Sequence, residues 1–235
     1  RGAAMEVIAT VAEFRRARAR CPRLGLVPTM GFLHDGHLSL VRHAKEQCGA
    51  AAVSIFVNPT QFGPREDFSS YPRDMERDLK LLREQGTDLV FTPDVAEVYP
   101  PGHATGVEVG AVTDVLEGAA RPGHFRGVAT VVCKLFNMTQ PTRAYFGQKD
   151  AQQTVVIRKM VRDLDMPLEV VVCPTVREPD GLAMSSRNTY LAPDERRAAT
   201  VLHRALGLAE ARFAAGERDG EALRRIVRVT LATEP

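Results

Sequence analysis

The chain has little cysteine and none at working spacing. Cys21, Cys48, Cys133 and Cys173 are scattered, and no C-x-x-C pair occurs. That excludes a cysteine zinc ribbon and a disulfide scaffold. Each thiol sits in or beside apolar sequence, the setting of reduced, buried cysteine, so a cytoplasmic protein is expected. An apolar run of about 18 residues is also missing, and with it any expected membrane span. Excess charge of one sign is wanting too: 31 Lys and Arg against 29 Asp and Glu leave a net charge of +2, interspersed and without a basic tail. The electrostatic footprint of a nucleic-acid binder is therefore absent. There is no internal repeat or low-complexity segment, and the opening Arg1-Gly2-Ala3-Ala4 lacks the apolar core of a targeting signal. What remains is a globular composition, 44% hydrophobic and 26% charged over 235 residues. That length suits one large domain plus a small one.

Apolar runs alternate with helical patterns. Strands are expected at Leu24–Val27, Ala51–Val57, Leu89–Thr92, Ala144–Phe146 and Leu168–Val172, with Thr130–Val132 a further candidate of uncertain state. Helices are expected at Leu38–Cys48, Arg73–Gln85 and Ala151–Asp165. This is the βαβ rhythm of a parallel sheet with helices on both faces, a Rossmann-like α/β fold whose ligands lie beyond the carboxyl ends of the strands. After Val172 the character changes. Pro174 and Arg177-Glu178-Pro179-Asp180-Gly181 mark turns, and Asp194–Ala215 and Glu221–Leu231 read as amphipathic helices. A domain boundary is expected near Thr175, dividing residues 1–175 from 176–235.

The most informative segment is Met30-Gly31-Phe32-Leu33-His34-Asp35-Gly36-His37, where an apolar strand passes through a glycine-containing loop into a helix. The first N–H groups of a helix lack partners and its macrodipole is positive there, so an anion is stabilised at that end. His34 and His37, three positions apart, can face the same way. The plain alternative is a pair of histidines bonded to local backbone. Zinc is disfavoured, because no third or fourth ligand stands near in sequence.

Three further groups fall at strand ends or at the expected boundary. Asn58-Pro59-Thr60-Gln61 follows an apolar strand; Gln61 can donate to and accept from hydroxyls, or the segment is an ordinary turn in which Asn58 bonds its own backbone. In Phe146-Gly147-Gln148-Lys149-Asp150, Lys149 is either a solvated lysine or a cation for phosphate, and Asp150 a helix cap or a ligand. Met184-Ser185-Ser186-Arg187 offers hydroxyls and a guanidinium suited to oxygen-rich anions, or is a solvated loop. The loop Arg121-Pro122-Gly123-His124-Phe125-Arg126-Gly127 is placed to cover a site.

Taken together, Pro28–His37, Ser54–Phe62, Gly118–Gly127, Phe146–Gln153 and Asp180–Asn188 resemble the pantothenate synthetases, the pantoate–β-alanine ligases of the HxGH nucleotidylyltransferase superfamily, over roughly Ile8 to Ala211. The resemblance implies a two-step reaction: pantoate attacks ATP to give pantoyl adenylate and pyrophosphate, and β-alanine then displaces AMP. It implies that residues Met30, Gly31, Phe32, Leu33, His34, Asp35, Gly36 and His37 contact ATP, with His34 and His37 on the phosphates and His37 donating a proton. Gln61 and Gln153 would hold pantoate, with Asn58 beside them, and β-alanine would enter near Gln61. Gly147, Gln148, Lys149 and Asp150 would meet the nucleotide, Lys149 toward phosphate and Asp150 toward ribose. Val176 would meet adenine, and Met184, Ser185, Ser186 and Arg187 would form a second nucleotide signature carried on a closing small domain. Asp78 resembles a family carboxylate near Mg²⁺. A homodimer formed through the large domain is implied, with no nucleic acid or membrane partner.

Gln148 stands where relatives often have a carboxylate, and Thr60 where Met is frequent. Family members also continue with further small-domain strands where this chain ends at Pro235 in helical sequence, so a truncated small domain is expected. Two other readings stay open at this point. A different nucleotidyltransferase would keep His34 and His37 without needing Gln61 and Gln153, and a nucleotide-binding module would hold ATP without turnover. An RNA partner, as in synthetases that share the signature, is opposed by the near-neutral charge.

Overall fold

The computed structural model describes residues 4–235, so Arg1-Gly2-Ala3, part of the segment weighed as a targeting signal, lies outside the described residues. The chain divides into two compact units between Pro174 and Thr175.

In the first unit the order is β1 (Glu6–Ile8), α1 (Val11–Arg18), β2 (Gly25–Thr29), α2 (Asp35–Cys48), β3 (Ala51–Ile55), a 3₁₀ turn (Pro59–Gln61), α3 (Met75–Glu84) and β4 (Leu89–Phe91). Two short helices follow, α4 (Val95–Val98) and α5 (Glu117–Ala120), then α6 (His124–Thr139), β5 (Arg143–Gly147), a second 3₁₀ turn (Gln148–Asp150), α7 (Ala151–Asp163) and β6 (Glu169–Cys173). The strands form one six-stranded sheet in the order β1-β4-β3-β2-β5-β6, and every neighbouring pair is parallel.

Side chains alternate across a strand, so a sheet covered on both sides must send successive residues into two cores. Leu26, Ala52, Leu89, Phe91, Ala144 and Phe146 join the core that includes Phe14 of α1, Val128 and Leu135 of α6, and Val156 of α7. Their neighbours Val27, Val53, Val90 and Tyr145 join the opposite core, with Leu38, Val41 and Ala44 of α2 and Leu82 of α3. The expected parallel sheet with helices on both faces is what forms. Chain winding proceeds outward from β2 through β3 to β4, then returns so that β5 pairs with the other side of β2. The strand order therefore reverses between β2 and β5, and sheets of this kind bind ligands beyond the strands' carboxyl ends at such a switch point.

Two elements correct the sequence reading. Thr130–Val132 is not a strand but the middle of α6. That helix is buried on nearly all sides, so its apolar run carries no periodicity that separates helix from strand, and only its length decides. Helix α1 and edge strand β1 are additions to the expected elements. Thr10 caps α1 by accepting from the Glu13 N–H, and Thr10-x-x-Glu13 is the capping-box signal that marks this helix in the sequence.

The second unit contains a 3₁₀ turn (Ser186–Tyr190), α8 (Pro193–Ala198), α9 (Val201–Ala214) and α10 (Gly220–Leu231). The single helix expected over Asp194–Ala215 is thus two, and α9 packs along α10. Among the described residues, no helix is long and apolar enough to cross a membrane.

Candidate active site

The loop after β2 is built by backbone geometry that few sequences tolerate. Gly31 has φ +82° and Phe32 φ +50°. A Cβ on Gly31 would lie 3.0 Å from Ile55 Cγ2 and 3.1 Å from Asp78 Oδ2 as well as in a strained conformation, so glycine is required there. The Thr29 hydroxyl donates to the Ser54 carbonyl at 2.8 Å and accepts from the Gly31 N–H at 3.1 Å, tying the loop to β3.

The loop delivers His34 as N-cap of α2. Its Nδ1 accepts from the Gly36 N–H at 3.1 Å, while His37 Nδ1 accepts from the His34 N–H at 3.3 Å. The two half-buried rings lie 4.0 Å apart between centroids. Local backbone bonding, the plain alternative raised by the sequence, is therefore present, and it serves a purpose. With Nδ1 accepting in both rings, the neutral imidazoles carry their protons on Nε2, as donors directed away from the loop backbone. Burial, and next the charge of Lys149, lower His34 to about 4. Burial, then His34 and Lys149, lower His37 to about 3. Both rings are neutral donors near pH 7, and an arriving anion would raise their basicity.

Lys149, in the turn after β5, is close enough for its charge to act on both rings. Its Nζ bonds Asp150 Oδ1 at 2.9 Å. Strand reversal between β2 and β5 thus joins His34 and His37 to Lys149, which is more than a hundred residues away in sequence. Gln148 shares the Lys149 turn, and Gly147 ends β5. Gln153 is half-buried on the first turn of α7; its neighbour Gln152 is structural, donating to the carbonyls of Val112 at 3.0 Å and Val115 at 2.8 Å.

Beyond β3, Gln61 is held by two partners. Its Oε1 accepts from Asn58 Nδ2 at 3.0 Å, and its Nε2 lies 3.4 Å from Met30 Sδ, which links the Gln61 turn to the histidine loop. Asn58 itself is 1% exposed. Its Nδ2 also donates to the Gly127 carbonyl at 3.2 Å, and its Oδ1 accepts from the Tyr99 hydroxyl at 2.8 Å and the Thr60 hydroxyl at 3.0 Å. Buried and bonded on both sides of its amide, Asn58 holds Gln61 from behind.

The loop around Arg121 faces this turn. Arg121 grips Glu66 with two bonds of 2.8 and 2.6 Å, and His124 Nδ1 lies 2.9 Å from the Gln61 carbonyl oxygen. A cleft of about 500 Å³ runs between Thr60–Glu66 and Ala120–His124. The covering loop is legible in the sequence, whereas Glu66 and Tyr99 are not, because their roles depend on distant partners.

Asp78 packs beneath the histidine loop. Its carboxylate, 1% exposed, accepts the Phe32 N–H at Oδ2 and the Leu33 N–H at Oδ1, both at 2.7 Å. A divalent ion would have to displace the loop from those oxygens, and Mg²⁺ sites also demand several further oxygen ligands. Among the described residues, no group of three His, Cys, Asp or Glu is arranged to hold a metal.

In the second unit, a turn closed by Arg177 bridging Ala183 brings the Met184 N–H to the Val176 carbonyl at 3.0 Å. Ser185 then caps the following 3₁₀ turn by accepting from the Arg187 N–H at 3.3 Å. Ser186 is buried and Arg187 exposed. Val176 and Met184–Arg187 belong to the second unit and the histidine loop to the first.

A parallel α/β sheet with an H-x-G-H helix start and a lysine at its topological switch agrees with the nucleotidyl-transfer class that the sequence resembles. Comparison with known proteins sharpens this. The family model for pantoate–β-alanine ligase matches residues 5–235. The pantothenate synthetase of Chloroflexus aggregans is 66% identical over 231 residues, which cover 98% of this chain and 83% of that protein. The crystal structure of pantoate–β-alanine ligase from Thermus thermophilus superposes with a TM-score of 0.93 at 55% identity, covering 98% of this chain and 83% of that one. A ligase from Francisella tularensis, complexed with beta-gamma ATP and β-alanine, gives 0.83 at 35% identity, covering 97% of this chain and 86% of that one. The chain belongs to the pantoate–β-alanine ligase family. It is a ligase that condenses pantoate with β-alanine at the expense of ATP, through pantoyl adenylate.

Proposed function

We propose that the switch point between β2 and β5 is where the adenylate forms, with the His34–His37 pair and Lys149 as the groups that receive ATP's phosphates. The observation that carries this reading is the bonding of the two imidazoles: both Nδ1 atoms accept from the loop backbone, which leaves both Nε2–H groups as donors for an anion. In the first half-reaction a pantoate carboxylate oxygen bonds to the α-phosphorus while the bond to pyrophosphate breaks. Two anions approach each other in that step. Preorganised donors offset the charge, each contributing on the order of 3 kcal/mol. His37 donates a hydrogen bond from its neutral Nε2–H to the departing pyrophosphate, and Lys149 and the start of α2 stabilise the charge that develops. In the second half-reaction the β-alanine amine attacks the acyl carbon, AMP leaves, and the amine's proton passes to solvent or a phosphate oxygen.

Pantoate is assigned to Gln61 and Gln153. The side-chain amide of Gln61 is already aimed by Asn58, which supports its role in reading hydroxyls. Residues 30–33, Asp35, Gly36, Gly147 and Gln148 supply backbone and shape around the nucleotide, and Asp150 is assigned to its ribose. Val176, Met184, Ser185, Ser186 and Arg187 are proposed as a second nucleotide-binding segment, tested by the ATP KM of Arg187→Ala. Mg²⁺ is assigned no protein ligand; it accompanies the phosphates. We further place the enzyme in the cytoplasm as a homodimer, which light scattering of the purified protein checks.

Pantoate-dependent exchange of pyrophosphate into ATP tests the central assignment. Wild type exchanges only when pantoate is present, and His37→Ala loses exchange. Wild-type exchange rates in His37→Ala overturn the role given to that ring.

A further inference from the structure

We infer that Asp78 is a positioning residue that sets the nucleotide loop through the backbone, holding the Phe32 and Leu33 N–H groups rather than a metal ion. The inference rests on the reading that ATP's phosphates meet this loop.

Helix α3 buries only Asp78 and Leu82. A carboxylate buried on a helix otherwise so exposed needs compensation, and here both oxygens receive it, each from one N–H at 2.7 Å. The loop needs the hold as much as the carboxylate does. Phe32 at φ +50° carries a Cβ in the left-handed region, a conformation that persists only where surroundings enforce it. A Cβ on Gly31 would approach Asp78 Oδ2 to 3.1 Å, so the carboxylate fills the concave side of the turn. Arg77 covers the arrangement from outside: its Nη1 lies 3.6 Å from Asp78 Oδ1, and its guanidinium stacks 5.2 Å from the Phe32 ring centroid.

The consequence passes along the backbone. Leu33 is followed by His34, whose own N–H is the donor that fixes His37. One carboxylate 45 residues away therefore sets the frame in which both imidazoles stand. An amide at this position keeps the shape but turns an NH₂ group toward a backbone N–H.

The test is ATP binding by calorimetry in EDTA and again in Mg²⁺, on wild type and Asp78→Asn, with steady-state kinetics beside it. Asp78→Asn is expected to bind ATP about tenfold more weakly in both buffers, the loss of a charge-assisted bond from the loop. Its KM for ATP rises by a similar factor, while the KM for pantoate and the Mg²⁺ concentration giving half-maximal rate stay at wild-type values. Unchanged binding in EDTA together with activity restored by added Mg²⁺ would overturn the inference in favour of an ion ligand. A lower Tm with unchanged ATP binding and KM would reduce Asp78 to a stabilising residue, and overturn it too. Asp78→Glu, which keeps the charge but displaces the oxygens by one methylene, covers the case in which the amide does not fold; about threefold weaker ATP binding is expected, and wild-type affinity refutes the clamp. If wild type binds no ATP in either buffer, the underlying site assignment fails; normal wild-type binding with an indifferent Asp78→Asn sinks this inference alone.

Discussion

Replacing Asn58 by Asp tests how substrate recognition is built, because it changes one atom in a fully bonded network. Asn58 Nδ2 donates to Gln61 Oε1 at 3.0 Å and to the Gly127 carbonyl at 3.2 Å. A carboxylate puts an acceptor against both. Two neutral hydrogen bonds of about 1 kcal/mol each are lost, and two buried acceptors are left without donors at about 1–3 kcal/mol each. Stronger bonds from the Tyr99 and Thr60 hydroxyls to the new carboxylate offset part of this. The net fall in unfolding free energy is expected to be about 2–4 kcal/mol, read from urea denaturation. With its Oε1 no longer held, Gln61 loses its aim, and one misdirected hydrogen bond to pantoate corresponds to about 1.4 kcal/mol, a tenfold rise in the pantoate KM. The ATP KM should move less than about twofold, since Asn58 makes no bond to the histidine loop and reaches it only through the weak contact of Gln61 with Met30 Sδ. A folded Asn58→Asp enzyme with wild-type pantoate KM would refute the claim that this buried amide positions Gln61.

Acid should weaken the fold in a defined window. His34 and His37 are lowered to about 4 and about 3, chiefly by burial, whereas the unfolded chain's histidines protonate near 6.5. As pH falls from about 6.5 toward 4, the unfolded state takes up protons that the folded state refuses, so stability drops. The slope between pH 7 and pH 5 should be shallower in a His34→Gln/His37→Gln variant, and an equal slope would contradict the depressed basicity of these rings. Glu66, lowered to about 2 mainly by its Arg121 partner, adds its own loss only between about 4.5 and 2. Gly127→Ala places a Cβ 2.3 Å from the Thr60 carbonyl oxygen, so α6 must move off the Gln61 turn; a stability loss of about 2 kcal/mol or more is expected by thermal unfolding, and a neutral substitution would contradict that contact. Lys149→Gln should slow pantoyl-adenylate formation by about a hundredfold in single-turnover quench measurements, with the fold unchanged because the ion pair of Lys149 is with solvent-facing Asp150; an undiminished rate would remove Lys149 from the charge-stabilising group.

The sequence by itself determined the strand, glycine loop and helix over residues 24–48, because a buried apolar run, chain breakers and a 3.6-residue period are local signals. It also determined the alternation that builds a parallel sheet, and the long ordered motifs that carry the family resemblance. Tertiary structure decided what depends on partners far along the chain. Helix α6 could not be told from a strand while its run was apolar on every side; its burial between the sheet and its helical neighbours explains that composition. The bonds of Asn58 to Gly127 and Tyr99, and those of Asp78 to the loop backbone, join residues far apart in the chain. Nothing in the residues near Asp78 announces that contact, since a hydrogen bond to a backbone N–H leaves no mark on the identity of the residue that donates it. Strand order made the remaining choice: by pairing β5 with β2 it set Lys149 beside the two histidines, a neighbourhood that no reading of sequence spacing contains.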